Sequence, residues 1–458
     1  MRLTTAEIAA LVGGRLIGSG SLEATHAATD HRQLGQEGGV FAAIRGEKAD
    51  GHSFVAAAAD GGAVAALVRR ERAGELSAPS SKIALVVVEE VEKALWDLAA
   101  ALRKGVTAPV VAVTGSMGKT TTKNMLAGIL NATLGRGCAT TGNRNNLLGV
   151  PLTVISLDPE DRYLLAELGS NSFGEIEALT RLVRPQVGVV TCVGAAHLQG
   201  FRDLHGVLRE KSSLPRNLEE GGTAVYPSFD PLLSGDAERW PVRKVTFGSE
   251  RSDLVRVAST REGTQAEGTL ECEGKVRRVK LSMSGAFNLW NAAAAIAAAR
   301  VLGVDFEAAC EAVGTVRAEG MRMEWRELAG VRFLVDAYNA NPTAMKAALD
   351  ALSGQSGGRR FAVLGTMLEM GPRWETLHEE VGAAAAASGL ELLIGMGAGG
   401  RAYVRGAGTG CAAVQVGDQA EAARLLRERC RPGDIVLLKG SRGSRVEKVL
   451  DLFAGGGN

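Results

Sequence analysis

One segment restricts the fold more than any other. The run Val110-Val111-Ala112-Val113-Thr114 is apolar and rich in β-branched residues, so it reads as a buried strand. It runs into Gly115-Ser116-Met117-Gly118, and a helix-length segment opens at Lys119-Thr120-Thr121-Thr122. A strand, a glycine turn and a helix in that order aim backbone N–H groups and the positive end of a helix at one point, where an anion is stabilised. Lys119 is placed to reach terminal phosphates and Thr120 to offer its hydroxyl to Mg²⁺. The common G-x-x-x-x-G-K-[ST] spacing is not met, because Val113 stands where its first glycine would be. The sequence therefore predicts a nucleotide phosphate site built from Gly115, Ser116, Met117, Gly118, Lys119, Thr120 and Thr121.

The chain around this loop holds more than one core. Its 458 residues suggest two to four domains. Apolar segments alternate with helix-length segments, the mark of parallel sheets covered by helices. The expected fold class is α/β, with three domains. Residues 1–105 form a small N-terminal α/β unit, with strands at Val40–Ile44 and Ile83–Val88. Gly105–Pro109 has the punctuation of a linker. Residues 106–315 form a central parallel-sheet domain around the phosphate loop, with strands at Tyr163–Leu168 and Val187–Val193. A β-rich insertion is expected between about 220 and 283, then an Ala-rich helix at Asn288–Leu302. Residues 316–458 repeat the open α/β pattern in a Rossmann-like layout. Ligands bind at the carboxyl ends of such strands.

Bulk properties exclude several classes. Lys plus Arg number 52 and Asp plus Glu 51, so no net charge calls for nucleic acid or an anionic membrane. No apolar run reaches the roughly 20 residues of a membrane span, and the N-terminal segment is a poor signal peptide. The six cysteines show no C-x-x-C pair, which argues against zinc and a disulfide scaffold. A cytoplasmic, monomeric protein is expected.

The loop variant T-G-S-x-G-K-T-T-T resembles that of the Mur ligases, which build the peptide of bacterial cell-wall precursors. The segments Thr141–Thr153 (with GNRNN at 142–146), DAYNANP at 336–342, Val363–Gly371 with His378, Lys439–Gly443 and Asp50–Phe54 resemble the branch that adds D-alanyl-D-alanine. The resemblance spans the whole chain. It implies an ADP-forming ligase with ATP and Mg²⁺ as cofactors and UDP-N-acetylmuramoyl-tripeptide and D-alanyl-D-alanine as substrates. A carboxylate is a poor electrophile; phosphorylation makes it an acyl phosphate, which an amine then attacks. Alternatives are another Mur-type or folylpolyglutamate synthase-like ligase, or a catalytically impaired nucleotide-binding homologue.

The resemblance also implies residue roles. Lys119, Glu167, His197 and Lys211 would be catalytic, with Thr120, Glu167, His197 and Lys211 at the metal and Lys211 carbamylated. Asn288 and Asn291 would face the adenine, although Asn288 also suits a helix cap. Arg322 would touch phosphate and Asp336 the ribose. Asn145, Asn146, Tyr338, Asn339 and Asn341 would line the substrate cleft. Asp30 and Arg32 would contact the UDP-sugar. Lys439, Ser441 and Arg442 are either a carboxylate site or a solvated basic loop. The chain departs from the family at His31, Ser213, Phe287 and Thr366. The third domain is expected to swing closed on ATP.

Overall fold

The computed structural model describes residues 1–35, 37–46, 49–76 and 83–455. Among the described residues three large sheets carry the chain, beside a two-stranded pairing of Leu3–Thr4 with Glu23–Ala24. The first has five strands, in the order Arg15–Ile17, Ala84–Val88, Ala63–Arg69, Gly39–Ala42, His26–Ala28. All its pairings are parallel except the one made by the edge strand Arg15–Ile17. The helix Thr5–Leu11 in front of it starts in a capping box: Thr4 accepts from Glu7 N and the Glu7 carboxylate accepts from Thr4 N.

The second sheet has nine strands. From one edge they are Cys138–Ala139, Leu164–Glu167, Val110–Thr114, Val187–Val190, Thr223–Pro227, Arg243–Gly248, Val255–Arg261, Glu267–Cys272 and Lys275–Lys280. The pairings are parallel up to Val255–Arg261; the last two strands are antiparallel. Val110–Thr114 lies between strands that follow it from opposite directions, so chain order reverses at its carboxyl end. That crevice is where an open α/β sheet binds ligands. The phosphate loop emerges into it, with Glu167 in register with Val113 and Val190 with Thr114.

Residues 220–283 are not an insertion. Thr223–Pro227 is buried along its whole length and continues the parallel sheet, as does Arg243–Gly248. Only the half-exposed, alternating strands beyond them turn antiparallel. Val187–Val193 stops being a strand at Val190, because Thr191 and Cys192 bond to the phosphate loop instead.

Gly105–Pro109 is short but is not a free linker. The helix Val91–Lys104 ends with the buried Arg103, whose guanidinium donates to the carbonyls of Val183, Arg184 and Val106. One apolar core runs from the first sheet through this helix to the helices Gly149–Ile155 and Glu175–Val183 on one face of the second. The other face is covered by the helix Lys119–Thr133 and the Ala-rich helix Asn288–Val301. Alanine makes the latter thin enough to lie close to the sheet.

The third sheet has six strands: Glu324–Leu328, Val331–Asp336, Ile435–Lys439, Arg360–Leu364, Leu392–Met396 and Ala413–Val416. Only Glu324–Leu328 pairs antiparallel. This strand and Ala413–Val416 escaped the sequence reading, being edge strands that are largely polar or short.

Candidate active site

The phosphate loop is held from below. Ser116 N donates to Cys192 O at 3.0 Å, and Ser116 Oγ exchanges hydrogen bonds with Gly194 N and O. Gly115 has φ +142°, and a Cβ there would lie 2.0 Å from Thr191 Oγ1. Gly118 has φ +80°, and its Cβ would meet Asn291 Oδ1 at 2.4 Å. Both positions need glycine for conformation and for space. Lys119 folds back so that Nζ donates to Gly115 O at 2.7 Å. Burial pulls its pKa down, while the nearby Glu167 carboxylate opposes the shift.

Glu167 closes its strand and is 1% exposed. Its Oε1 accepts from Thr120 Oγ1 at 3.1 Å and from Asn145 Nδ2 at 2.8 Å. Its Oε2 is buried without a partner. Such an orphan is rare in a folded protein and has a substantial desolvation cost. An unsatisfied carboxylate oxygen beside a Thr hydroxyl at a phosphate loop fits Mg²⁺, which takes one or two carboxylates and fills its remaining positions with water and phosphate oxygens. Among the described residues no three His, Cys, Asp or Glu side chains gather as a closed metal cage.

His197 adopts φ +52° at the start of the short helix Leu198–Phe201, and its Nδ1 pairs with the carboxylate of Glu369 from the third unit. Burial and the Lys119 charge lower its pKa, while Glu369 pulls it up. Lys211 ends the helix Leu204–Lys211, fully buried. Its Nζ donates to Ser170 Oγ at 2.8 Å and lies over the Phe201 ring. Burial first, then Lys119, pushes its pKa from 10.5 to about 7. Ser170 lines the cleft and stands in front of it.

The third unit faces this group. Arg322 stacks on Tyr338, 3.8 Å from the ring centroid, and donates to Thr120 Oγ1 at 3.1 Å. Asp336 and Lys439 sit opposite one another on parallel strands and form an ion pair; Lys439 also donates to Asn339 O. Asn341 caps the helix Pro342–Ser353 by accepting from Ala344 N. Ser441 accepts from Leu368 N, and Arg442 pairs with Glu447 away from the cleft. The cleft between the two units is about 440 Å³ and includes Ser116–Thr121, Asn145, Asn146, Glu167, His197, Asn288, Asn291, Arg322, Asp336, Tyr338, Asn339 and Asn341 in its walls.

Asp30 and Arg32 stand apart from it. They form a bidentate pair with each other, which holds the Asp30 carboxyl down at about 2. Their turn reaches the GNRNN segment through Arg144, which donates to Gln33. His31 stacks on Phe54, 4.9 Å between centroids, which joins this turn to Asp50–Phe54.

Comparison with known proteins places this geometry. Residues 113–299 match the Mur ligase middle domain and residues 321–442 the Mur ligase, glutamate ligase domain. A UDP-N-acetylmuramoyl-tripeptide–D-alanyl-D-alanine ligase of Bacillus subtilis is 33% identical over 92% of this chain and 92% of its own. The chain belongs to the Mur ligase family. Its backbone is similar to that of MurF from Acinetobacter baumannii, with a TM-score of 0.87 and 30% identity over 99% of each chain. MurF ligase from Thermotoga maritima, solved in complex with ADP, gives a TM-score of 0.80 at 29% identity over 94% of this chain and 97% of that one. In this Mur ligase family member the cleft walls also include residues given no role by the sequence reading, among them Phe229 and Trp290. Glu369, which reaches His197, was visible only as part of the Val363–Gly371 motif. An acidic residue that pairs across two units leaves no local spacing signal.

Proposed function

We propose that this chain joins D-alanyl-D-alanine to UDP-N-acetylmuramoyl-tripeptide with consumption of ATP, an ADP-forming step of peptidoglycan precursor synthesis. The observation that carries the chemistry is the meeting of Lys119, Thr120 and the orphaned Glu167 oxygen with Arg322 and Tyr338 from the opposite unit. In this reading the peptide carboxylate takes the γ-phosphoryl group and becomes an acyl phosphate. The dipeptide amine then forms the amide, and phosphate leaves. Mg²⁺, when bound, neutralises the charge shared by phosphate and carboxylate.

The chain's own residues divide that work. The N–H groups of Gly115–Thr121 and the Lys119 ammonium hold the phosphates. Thr120 and Glu167 offer oxygens to the metal, with His197 and Lys211 flanking them. An amine with a pKa near 7 is largely neutral at physiological pH, the form that reacts with CO₂, so Lys211 is the place for a carbamate. Arg322 supplies a second positive charge to phosphate. Asp336 lies at the ribose, Asn288 and Asn291 at the base end, and Asn145, Asn146, Tyr338, Asn339 and Asn341 along the substrate path. Asp30 and Arg32 belong to the UDP-sugar end.

We assign residues 1–105 to sugar binding, 106–315 to ATP and 316–458 to ligation. A monomer in the cytoplasm is the setting proposed. The six cysteines are free, as a reducing compartment requires, and no helix among the described residues is long and apolar enough to cross a membrane. The test is ADP release by purified protein with Mg²⁺, ATP and UDP-tripeptide, with and without D-alanyl-D-alanine. Turnover dependent on the dipeptide supports the reading. Turnover with glutamate or diaminopimelate instead would assign the chain to a different ligase.

A further inference from the structure

Two strained residues meet where the third unit touches the central one. His197 has φ +52° and Glu369 φ +62°, and neither is glycine. Each such residue costs roughly 1–3 kcal/mol and persists only where its surroundings hold it. The Glu369 loop is held from both sides. Within the third unit, Met367 N donates to Nε2 of the buried His378 at 2.9 Å, and Leu368 N donates to Ser441 Oγ at 3.0 Å. Across the joint, Gln199 N donates to Glu369 O at 3.1 Å. Met367 and Met370 share an apolar cluster with Leu198 and Phe201.

The side-chain pair adds little to that docking. The His197 and Glu369 side chains are 23% and 47% exposed, and an ion pair at a wet surface contributes about 0–1 kcal/mol. What the pair fixes is the imidazole. A carboxylate only accepts, so Nδ1 carries the hydrogen and Nε2 keeps its lone pair. His197 lines the same cleft as Thr120 and Glu167. Mg²⁺ favours oxygen ligands, so an imidazole serves it best when a carboxylate behind the ring sets its orientation and raises its basicity. Thr120, Glu167 and His197 all belong to the central unit. The carboxylate behind the ring comes from the third.

We propose that Glu369 is a positioning residue for His197: on docking, the third unit fixes the ring so that Nε2 is available to Mg²⁺, and the metal end of the cleft is finished only when the two units meet. This rests on the ligase reading above and adds to it a residue that the motif left without a role. It also accounts for the strain. A carboxylate at the tip of a loop tied down on both sides has one direction to face, and the conformation that costs energy at Glu369 and at His197 is the one that brings them together.

Calorimetric titration of Mg²⁺ into the full chain saturated with ADP tests the proposal. Removing the partner behind a metal-bound histidine weakens the metal by roughly 10- to 100-fold, and Glu369→Ala should fall in that range. Glu369→Gln keeps an acceptor for Nδ1–H and should recover part of the loss. In a His197→Ala background Glu369→Ala should have no further effect, because the two side chains act through one interaction. ADP affinity without Mg²⁺ and the radius of gyration of the ligand-free protein should stay as in the parent. The proposal is overturned if Glu369→Ala or His197→Ala binds Mg²⁺ as the parent does, if their effects add, or if Glu369→Gln recovers nothing. It is also overturned if Glu369→Ala expands the ligand-free protein or weakens metal-free ADP equally, since the pair would then be only a latch. Failure of the parent protein to bind Mg²⁺ with ADP would overturn the ligase reading itself.

Discussion

Replacing Gly115 by alanine tests the phosphate loop at its tightest point. The added Cβ would lie 2.0 Å from Thr191 Oγ1, about 1.4 Å short of the 3.4 Å at which ordinary contact begins. Rotating Thr191 does not relieve the clash, since backbone N atoms of Thr191 and Cys192 lie at 3.0 and 3.1 Å from the same point. The Thr191 hydroxyl is also bonded to Met117 O. The loop must therefore move by about an ångström, and φ +142° is itself costly for any residue with a side chain. Misplacing a reacting group by about 1 Å costs on the order of 10²-fold in rate, or about 2.7 kcal/mol of barrier. We predict that Gly115→Ala stays folded, loses roughly 1–3 kcal/mol of stability and drops about a hundredfold in kcat/KM in the ADP-release assay. Gly221→Ala is the control: φ is +75°, but nothing lies within 4 Å of its added Cβ. It should lose roughly 1 kcal/mol and no activity. A folded Gly115→Ala protein with kcat/KM within about threefold of the parent would refute this account of the loop.

Three more outcomes are expected. Glu167→Gln should keep the bond from Thr120 but lose the charge at the orphaned oxygen, and calorimetry should show magnesium-dependent ADP binding weakened by at least tenfold, on the order of 1.4 kcal/mol; unchanged binding would remove Glu167 from the metal site. In CO₂-free buffer, where no carbamate forms, Lys211 is neutral when folded above about pH 7 but charged when unfolded up to about 10.5. The unfolded chain therefore binds more protons in that window, and stability falls as pH drops from 10.5 to 7, by up to about 5 kcal/mol. Lys211→Met should flatten this slope in denaturant titrations, and an equal slope in both proteins would contradict it. Arg103→Ala strands the carbonyls of Val183, Arg184 and Val106, and should lower the unfolding free energy by about 3 kcal/mol; a thermal midpoint unchanged from the parent would show that Arg103 is dispensable.

The sequence made parts of this molecule legible and hid others, for physical reasons. Val110–Thr114 and its loop could be read because a buried strand, a glycine turn and a helix start are all local signals. The strand Leu164–Glu167 likewise placed Glu167 at its carboxyl end, next to the loop. What local pattern could not give was direction and partnership. Thr223–Pro227 looks the same as the start of an insertion or as another parallel strand, because an apolar run does not reveal its neighbour. Gly105–Pro109 reads as a linker until Arg103 is seen bonded to carbonyls some eighty residues away. The pairing of His197 with Glu369 and of Asp336 with Lys439 joins residues 172 and 103 positions apart. Phe229, taken alone, is one aromatic in a turn; only the fold puts Trp290 beside it.

The apolar core continuous from the first sheet into the second has a mechanical consequence. Two of the three units share one core and are expected to turn as a single block, with one pivot in the stretch Thr315–Gly320 that leads to the third sheet. Contacts across that joint are polar and apolar: Arg322 donates to Thr120 and Glu369 pairs with His197, while Leu198, Phe201 and Val207 share an apolar cluster with Met367 and Met370 of the third unit. Opening it would separate the two halves of the catalytic group and uncover the part of that apolar cluster that the two units share. Small-angle scattering should therefore fit two rigid bodies, and a need for three would count against a single pivot.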